Sequence, residues 1–70
     1  MEDSLNVIFN GEPRRVPARS TVASLLKQLE LEPRRVAVEV NQQLVPREEH
    51  PQRELLEGDR LEVVTLAGGG

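Results

Sequence analysis

Apolar residues alternate with more polar ones in three stretches of the chain. This period of two is typical of a β-strand that buries one face. In the third stretch, we expect Leu61, Val63 and Thr65 to face the core, which leaves Val64 and Leu66 on the opposite face of the sheet. The three predicted strands comprise residues 4–9, 36–40 and 61–66.

A hairpin is predicted directly after the first strand. Asn10-Gly11 is a strong signal for a type I′ turn, in which both central residues have positive φ. The returning strand should run from about residue 12 to residue 16. Because Pro13 and Pro17 lack the N–H that a sheet ladder requires, we expect this strand to lie at a sheet edge or to be interrupted.

A short helix is predicted next, over residues 22–30. Ser20-Thr21 supplies N-cap candidates, and Pro33 should mark the end because the residue before a proline is pushed out of the α region. The apolar residues of this segment fall at helical spacing on one face: Val22, Leu25, Leu26 and Leu29.

The segment between the second and third alternating stretches is less regular. A turn over residues 41–43 should lead into a very short strand at residues 44–45. We expect irregular structure with one helical turn over residues 47–56, with Leu55 and Leu56 holding it to the core, and then a turn at residues 57–59. One helix can cover one face of such a sheet, so the fold class is α+β with two layers.

Composition narrows the possible functions. The formal net charge of −3 and the isoelectric point near 5.1 argue against a nucleic-acid partner. The chain has no cysteine, so it has no disulfide, no zinc thiolate site and no thiol that could hold a persulfide. We expect no bound cofactor or metal. The N-terminal residues lack a signal-peptide pattern and no apolar run is long enough for a membrane span, so the expected compartment is the cytoplasm.

The sequence closes on Gly68-Gly69-Gly70, directly after the last predicted strand. Glycine has no Cβ, so such a tail is thin, and three extended residues reach about 10 Å. The tail alone leaves two interpretations open: a carboxylate that threads into an activating enzyme, or a passive, frayed end. We divide the chain into a folded domain, residues 1–66, and a flexible tail, residues 67–70.

The chain resembles the ThiS family of sulfur carriers in thiamine biosynthesis, which has the ubiquitin-like β-grasp fold. Residues 41–47, Asn-Gln-Gln-Leu-Val-Pro-Arg, are the most specific part of the similarity, together with Gly58-Asp59 and the terminal glycines. The resemblance covers essentially the whole chain and implies a mixed sheet of four to five strands on one helix. One departure is His50, at a position where the family often carries tryptophan.

The resemblance also implies a reaction cycle. A ThiF-like adenylating enzyme would activate Gly70 with ATP, and sulfur from a cysteine persulfide donor would replace the AMP to leave a thiocarboxylate. A ThiG-like thiazole synthase would then take the sulfur. In this cycle the chain is a co-substrate and not an enzyme.

Five residues follow as candidates for function. Gly70 is the acyl site, Gly69 allows close passage into the activating enzyme, and Gly68 adds reach. Val64 and Leu66 would form a small apolar docking patch at the base of the tail. Three other functions remain open: a ubiquitin-like protein modifier, a molybdopterin-type sulfur carrier subunit and a passive β-grasp binding module.

Overall fold

The computed structural model describes residues 3–66, which form a mixed five-stranded sheet and one α-helix. The strands lie in the order β2-β1-β5-β3-β4, with β5 parallel to β1 and antiparallel to β3. This arrangement confirms the predicted α+β fold class. The elements are β1 (Ser4–Phe9), β2 (Glu12–Pro17), α1 (Val22–Gln28), β3 (Val36–Val40), β4 (Gln43–Leu44) and β5 (Arg60–Thr65), with 3₁₀ helices at Pro33–Arg35 and Arg47–Glu49.

The first hairpin matches its sequence prediction. Asn10 has φ of 50° and Gly11 has φ of 86°, the two positive values that a type I′ turn requires. The turn sets the register of β1 and β2, in which Phe9 lies opposite Glu12. Strand β2 carries Pro13 and lies at the edge of the sheet. Because no strand lies on its outer side, the N–H that proline lacks is not needed there by any carbonyl group.

A capping box starts helix α1. The Thr21 Oγ1 accepts a hydrogen bond from the backbone N–H of Ser24 at 3.0 Å, and the Ser24 Oγ accepts one from the N–H of Thr21 at 2.8 Å. These bonds satisfy two N–H groups that the first turn of a helix leaves without partners. Of the two predicted N-cap candidates, Ser20 and Thr21, the structure therefore selects Thr21.

The helix ends at Gln28, two residues before the predicted end at residue 30. Glu30 adopts a left-handed φ of 60°, so that its N–H bonds to the Lys27 carbonyl and the N–H of Leu31 bonds to the Leu26 carbonyl. The prediction that Pro33 ends the helix was wrong, because this backbone reversal stops it first. Pro33 instead begins a 3₁₀ helix.

Glu30→Gly is expected to stabilise the domain by up to about 1 kcal/mol, because a left-handed residue with a Cβ is strained and glycine is not. The free energy of unfolding from urea titration measures the gain. Lys27→Gly provides the matched control: it places glycine inside the same helix and is expected to destabilise the domain by about 1 kcal/mol. A loss of stability in both variants would contradict this interpretation of the helix end.

The structure corrects two further predictions. The turn after β3 contains two residues with positive φ, Asn41 at 54° and Gln42 at 69°, so β4 begins one residue earlier than predicted, at Gln43. Leu55 is buried as expected, whereas Leu56 is 60% exposed. Leu56 opens the following turn, in which its carbonyl accepts a hydrogen bond from the N–H of Asp59, and this turn lies at the surface.

The core lies between α1 and one face of the sheet. Its buried residues are all aliphatic, and alternate residues of β3 and β5 supply five of them. No helix within residues 3–66 is long and apolar enough to cross a membrane. The core residues are Val7, Val16, Val22, Leu25, Leu26, Val36, Val38, Val40, Val45, Leu55, Leu61 and Val63.

Candidate functional site

Strand β5 leads from the centre of the sheet to the predicted tail. It pairs with β1 on one side and with β3 on the other. The ladder with β3 continues beyond Thr65, since the N–H of Leu66 donates to the Arg35 carbonyl at 2.8 Å. The chain is thus held by the sheet up to Leu66. The predicted tail, residues 67–70, and with it the predicted sites Gly68, Gly69 and Gly70, lies outside the described residues.

The face of the sheet opposite the helix carries several exposed side chains. Val64 is 55% exposed and Leu66 is 47% exposed, as the alternation in β5 predicts. Leu44 of β4 is 66% exposed and lies opposite Glu39 of β3. We call Glu39, Leu44, Glu62, Val64 and Leu66 the open face. Three of the four large exposed hydrophobic residues within residues 3–66 belong to it.

A buried carboxylate links the loops at the start of β5. Asp59 is 6% exposed, and its Oδ1 accepts a hydrogen bond from the Asn41 Nδ2 at 2.9 Å. Its Oδ2 accepts one from the Leu56 N–H at 2.8 Å and lies 3.7 Å from a guanidinium nitrogen of Arg53. A buried charge is tolerated only with such partners. The Asp59 carboxylate therefore joins the β3–β4 turn to the loop before β5.

The backbone of Asn41 completes this connection. Its N–H donates to the Arg60 carbonyl at 2.7 Å, and the Asn41 Oδ1 accepts from the N–H of Arg60 at 3.0 Å. Gly58 supplies the positive φ of 85° that the preceding turn requires. Three residues of the family resemblance thus have a structural role: Asn41 and Gly58-Asp59 hold the start of β5 against the β3–β4 turn.

A second carboxylate ties the same loop to β1. Glu57 accepts hydrogen bonds from the backbone N–H of Asn6 at 3.0 Å and from its side-chain Nδ2 at 3.2 Å. These bonds, led by the backbone one, stabilise the ionised form and hold the pKa of Glu57 below its usual value. The loop at the start of β5 is therefore attached to both β1 and β3.

His50 is a buried polar residue beside the aliphatic core, and the sequence analysis did not predict its burial. It is 3% exposed, and its Nε2 lies 3.1 Å from the Val45 carbonyl. Because a carbonyl oxygen only accepts, Nε2 is the protonated nitrogen. The available signal was the family resemblance, which implies a tryptophan at this position, since so large an apolar ring is usually buried. Within residues 3–66 no group of three acidic, histidine or cysteine residues could hold a metal ion.

The mixed five-stranded sheet, with β5 between β1 and β3, and the one α-helix of residues 3–66 define a ubiquitin-like β-grasp protein. The crystal structure of the thiamine biosynthesis protein ThiS from Geobacter metallireducens has the same fold: the TM-score is 0.79 at 30% identity, covering 94% of this chain and 100% of that one. Residues 7–70 match the ThiS family. The chain belongs to the ThiS family, which confirms the resemblance drawn from the sequence.

Curated relatives are of two kinds. The sulfur carrier protein ThiS of Escherichia coli is 33% identical over 66 residues, which is 94% of this chain and 100% of that protein. A thiazole synthase of Paramagnetospirillum magneticum is 41% identical over 66 residues. The match again covers 94% of this chain but only 20% of the synthase, so the chain spans a small part of the length of that relative.

Proposed function

We propose that this chain carries sulfur as a thiocarboxylate on Gly70 and donates it for thiazole formation in thiamine biosynthesis. The observation that carries the proposal is the ThiS family match, which continues to residue 70 and so includes the glycine end. A chain without cysteine can carry sulfur in this way, because the carrier atom is the acyl carbon of the last glycine.

The proposed chemistry takes three steps. The Gly70 carboxylate attacks the α-phosphorus of ATP in the adenylating enzyme, which releases pyrophosphate and leaves an acyl-adenylate. The outer sulfur of a cysteine persulfide then attacks the acyl carbon and AMP leaves. A thiol cleaves the resulting sulfur–sulfur bond by exchange, so that one sulfur remains on Gly70. The chain is the co-substrate in each step, and ATP is consumed by the partner.

The comparisons support a thiazole synthase as the acceptor of the sulfur. In the synthases of Paramagnetospirillum magneticum and Magnetococcus marinus, a segment of about a fifth of the protein is similar to nearly this whole chain. Joining two modules in one polypeptide raises the effective concentration of each for the other. Such a fusion is favoured where the two modules act together. A ThiF-like adenylating enzyme and a cysteine persulfide donor complete the proposed set of partners.

Intact mass spectrometry tests the proposal. The chain is incubated with ATP, the adenylating enzyme of the same organism and a cysteine persulfide donor. Replacement of one oxygen of the chain by sulfur is expected, followed by loss of that sulfur when thiazole synthase and its substrates are added. A covalent adduct on a lysine would instead identify a protein modifier. Loss of the sulfur only to a molybdopterin-forming enzyme would identify a molybdopterin-type sulfur carrier subunit. An unchanged mass would favour a passive binding module.

We further propose that Val64 and Leu66 dock the adenylating enzyme beside the tail. Both are exposed apolar residues on the strand that leads to Gly70, and such residues at an interface lose contact with water on binding. Leu66 is the last described residue, and its N–H still donates to the Arg35 carbonyl. A partner that receives the tail must pass close to it.

Leu66→Asp is expected to lower kcat/KM for adenylation about tenfold, because a charge would be buried at the interface, while the melting temperature changes little. Leu56→Asp is the matched control, since Leu56 is also exposed but lies before the opposite end of β5. Adenylation is followed by ATP–pyrophosphate exchange. Equal rates for both variants and the unaltered chain would contradict the docking role.

A further inference from the structure

One ring nitrogen of His50 has no hydrogen-bond partner. The side chain is 3% exposed, and its Nε2–H donates to the Val45 carbonyl at 3.1 Å. The other nitrogen, Nδ1, is buried and makes no hydrogen bond within residues 3–66. In a neutral ring with the proton on Nε2, Nδ1 is an acceptor. Because a buried polar atom normally has a partner, this Nδ1 is open to a donor from a bound molecule.

His50 also lines a surface groove of about 400 Å³. The two 3₁₀ helices contribute to its wall, since Pro33 and Arg34 belong to the first and Arg47 begins the second. Ala23, in the first turn of α1, lines it as well. Small-molecule sites in proteins have volumes of about 300–1,000 Å³. The groove is therefore large enough for a small ion or metabolite, and it includes the residue whose Nδ1 lacks a donor.

The groove has an excess of positive charge. Arg34 and Arg47 both line it, and neither takes part in the one ion pair that the structure forms within residues 3–66. Glu32 supplies the one carboxylate of the lining. A guanidinium group binds an oxyanion through parallel N–H groups, which gives geometric specificity as well as attraction. Because two guanidinium groups outweigh a single carboxylate, the groove favours an anion.

We propose that this groove binds a phosphate group that retains a proton. Arg34 and Arg47 donate to its charged oxygens, and its hydroxyl donates to the His50 Nδ1. Phosphate fits because it is an anion that still carries an O–H at neutral pH. Sulfate and carboxylate groups carry no proton at this pH, so they would leave the Nδ1 without a donor. The site uses no residue assigned to the carrier chemistry and so goes beyond the proposed function.

His50 makes the site particular to this chain, because the family resemblance implies that relatives often carry tryptophan at this position. An indole N–H only donates, so tryptophan cannot accept a hydrogen bond from a phosphate hydroxyl. His50→Trp is therefore an informative variant: it keeps an aromatic ring and an N–H for the Val45 carbonyl but removes the acceptor. Its affinity for phosphate is expected to fall about tenfold and to equal its affinity for sulfate.

Nitrogen NMR of the His50 ring tests the proposal, and the ring signals are unambiguous because the chain has one histidine. The isotope-labelled chain is titrated with inorganic phosphate or sulfate at neutral pH and constant ionic strength, so that screening is equal. Phosphate is expected to move the Nδ1 signal upfield, because this nitrogen becomes a hydrogen-bond acceptor. Sulfate is expected to bind about tenfold more weakly, since it lacks one hydrogen bond. Glycerol 3-phosphate forms a third arm: tighter binding than phosphate identifies a phosphomonoester as the ligand, and weaker binding identifies the free ion.

Arg34→Gln/Arg47→Gln removes both cations and is expected to raise the Kd for phosphate about tenfold. Arg19→Gln/Arg60→Gln is the matched control, because these arginines are exposed and lie outside the groove lining. Its Kd should stay within about twofold of that of the unaltered chain. Equal binding of phosphate and sulfate, an unmoved Nδ1 signal, or an equal change in both double variants would overturn the site and leave the Nδ1 to a buried water. The sulfate comparison uses the unaltered chain, so the test does not depend on the folding of any variant.

Discussion

Asp59→Ala is expected to lower the free energy of unfolding by about 3 kcal/mol, one of the largest effects of any single substitution in this chain. The substitution removes the acceptor of two hydrogen bonds, from the Asn41 Nδ2 and the Leu56 N–H, and the ion partner of Arg53. These donors would then remain at the start of β5 without the carboxylate between them. Urea unfolding followed by circular dichroism measures the loss.

Asp3→Ala is the control for this experiment, because Asp3 is exposed and its side chain makes no hydrogen bond within residues 3–66. A change within about 0.5 kcal/mol is expected there. Asp59→Asn should fall between the two, since an amide oxygen can keep one of the hydrogen bonds. Equal stability of the two alanine variants would show that the Asp59 network does not hold the β3–β4 turn against β5.

Converting the Gly70 carboxylate to a carboxamide is expected to abolish sulfur loading entirely. An amide cannot attack ATP as a carboxylate does, so no acyl-adenylate forms. The modified chain is prepared by ligation and compared with a ligated chain that ends in the free acid. Intact mass after incubation with the adenylating enzyme, ATP and persulfide measures loading. Sulfur acquired by the carboxamide would place the carrier atom elsewhere in the chain.

The melting temperature of the carboxamide should equal that of the acid, since all the identified core residues lie between Val7 and Val63. A separate variant tests the reach of the tail. Because Gly68, Gly69 and Gly70 are identical, deleting any one of them leaves a shorter chain that still ends in Gly-Gly. If this variant still acquires some sulfur, the third glycine only lengthens the tail. If it acquires none, the third glycine is essential for loading.

Local patterns were sufficient to predict most of the elements. Alternation identified β1, β3 and β5, and Asn10-Gly11 identified the first hairpin turn, because both signals depend on residues close in sequence. The predicted end of the helix was wrong because the residue that adopts the left-handed conformation there is Glu30. Glutamate, unlike glycine or asparagine, does not indicate such a conformation in a sequence. The predicted length of the β3–β4 turn was wrong for the same reason, because Gln42 also has a positive φ that its residue type does not indicate.

The candidate site was predictable only in part. The exposure of Val64 and Leu66 follows from the alternation within β5, so the sequence was enough. The burial of His50 was not predictable from its polar neighbours, since it depends on a hydrogen bond to Val45 and on packing that brings the loop onto the core. The docking role of the open face and the acyl role of Gly70 stay predictions.

The sequence by itself determined the hairpin, the amphipathic helix, the aliphatic core and the family, since these depend on short-range periodicity and on a motif. Only the tertiary structure decided that β5 lies between β1 and β3, which pairs residues more than 20 positions apart in sequence. That insertion brings Asn41 to Asp59 and Glu39 to Glu62. Such contacts depend on strand order and register, and no local pattern of residues specifies which strands will become neighbours.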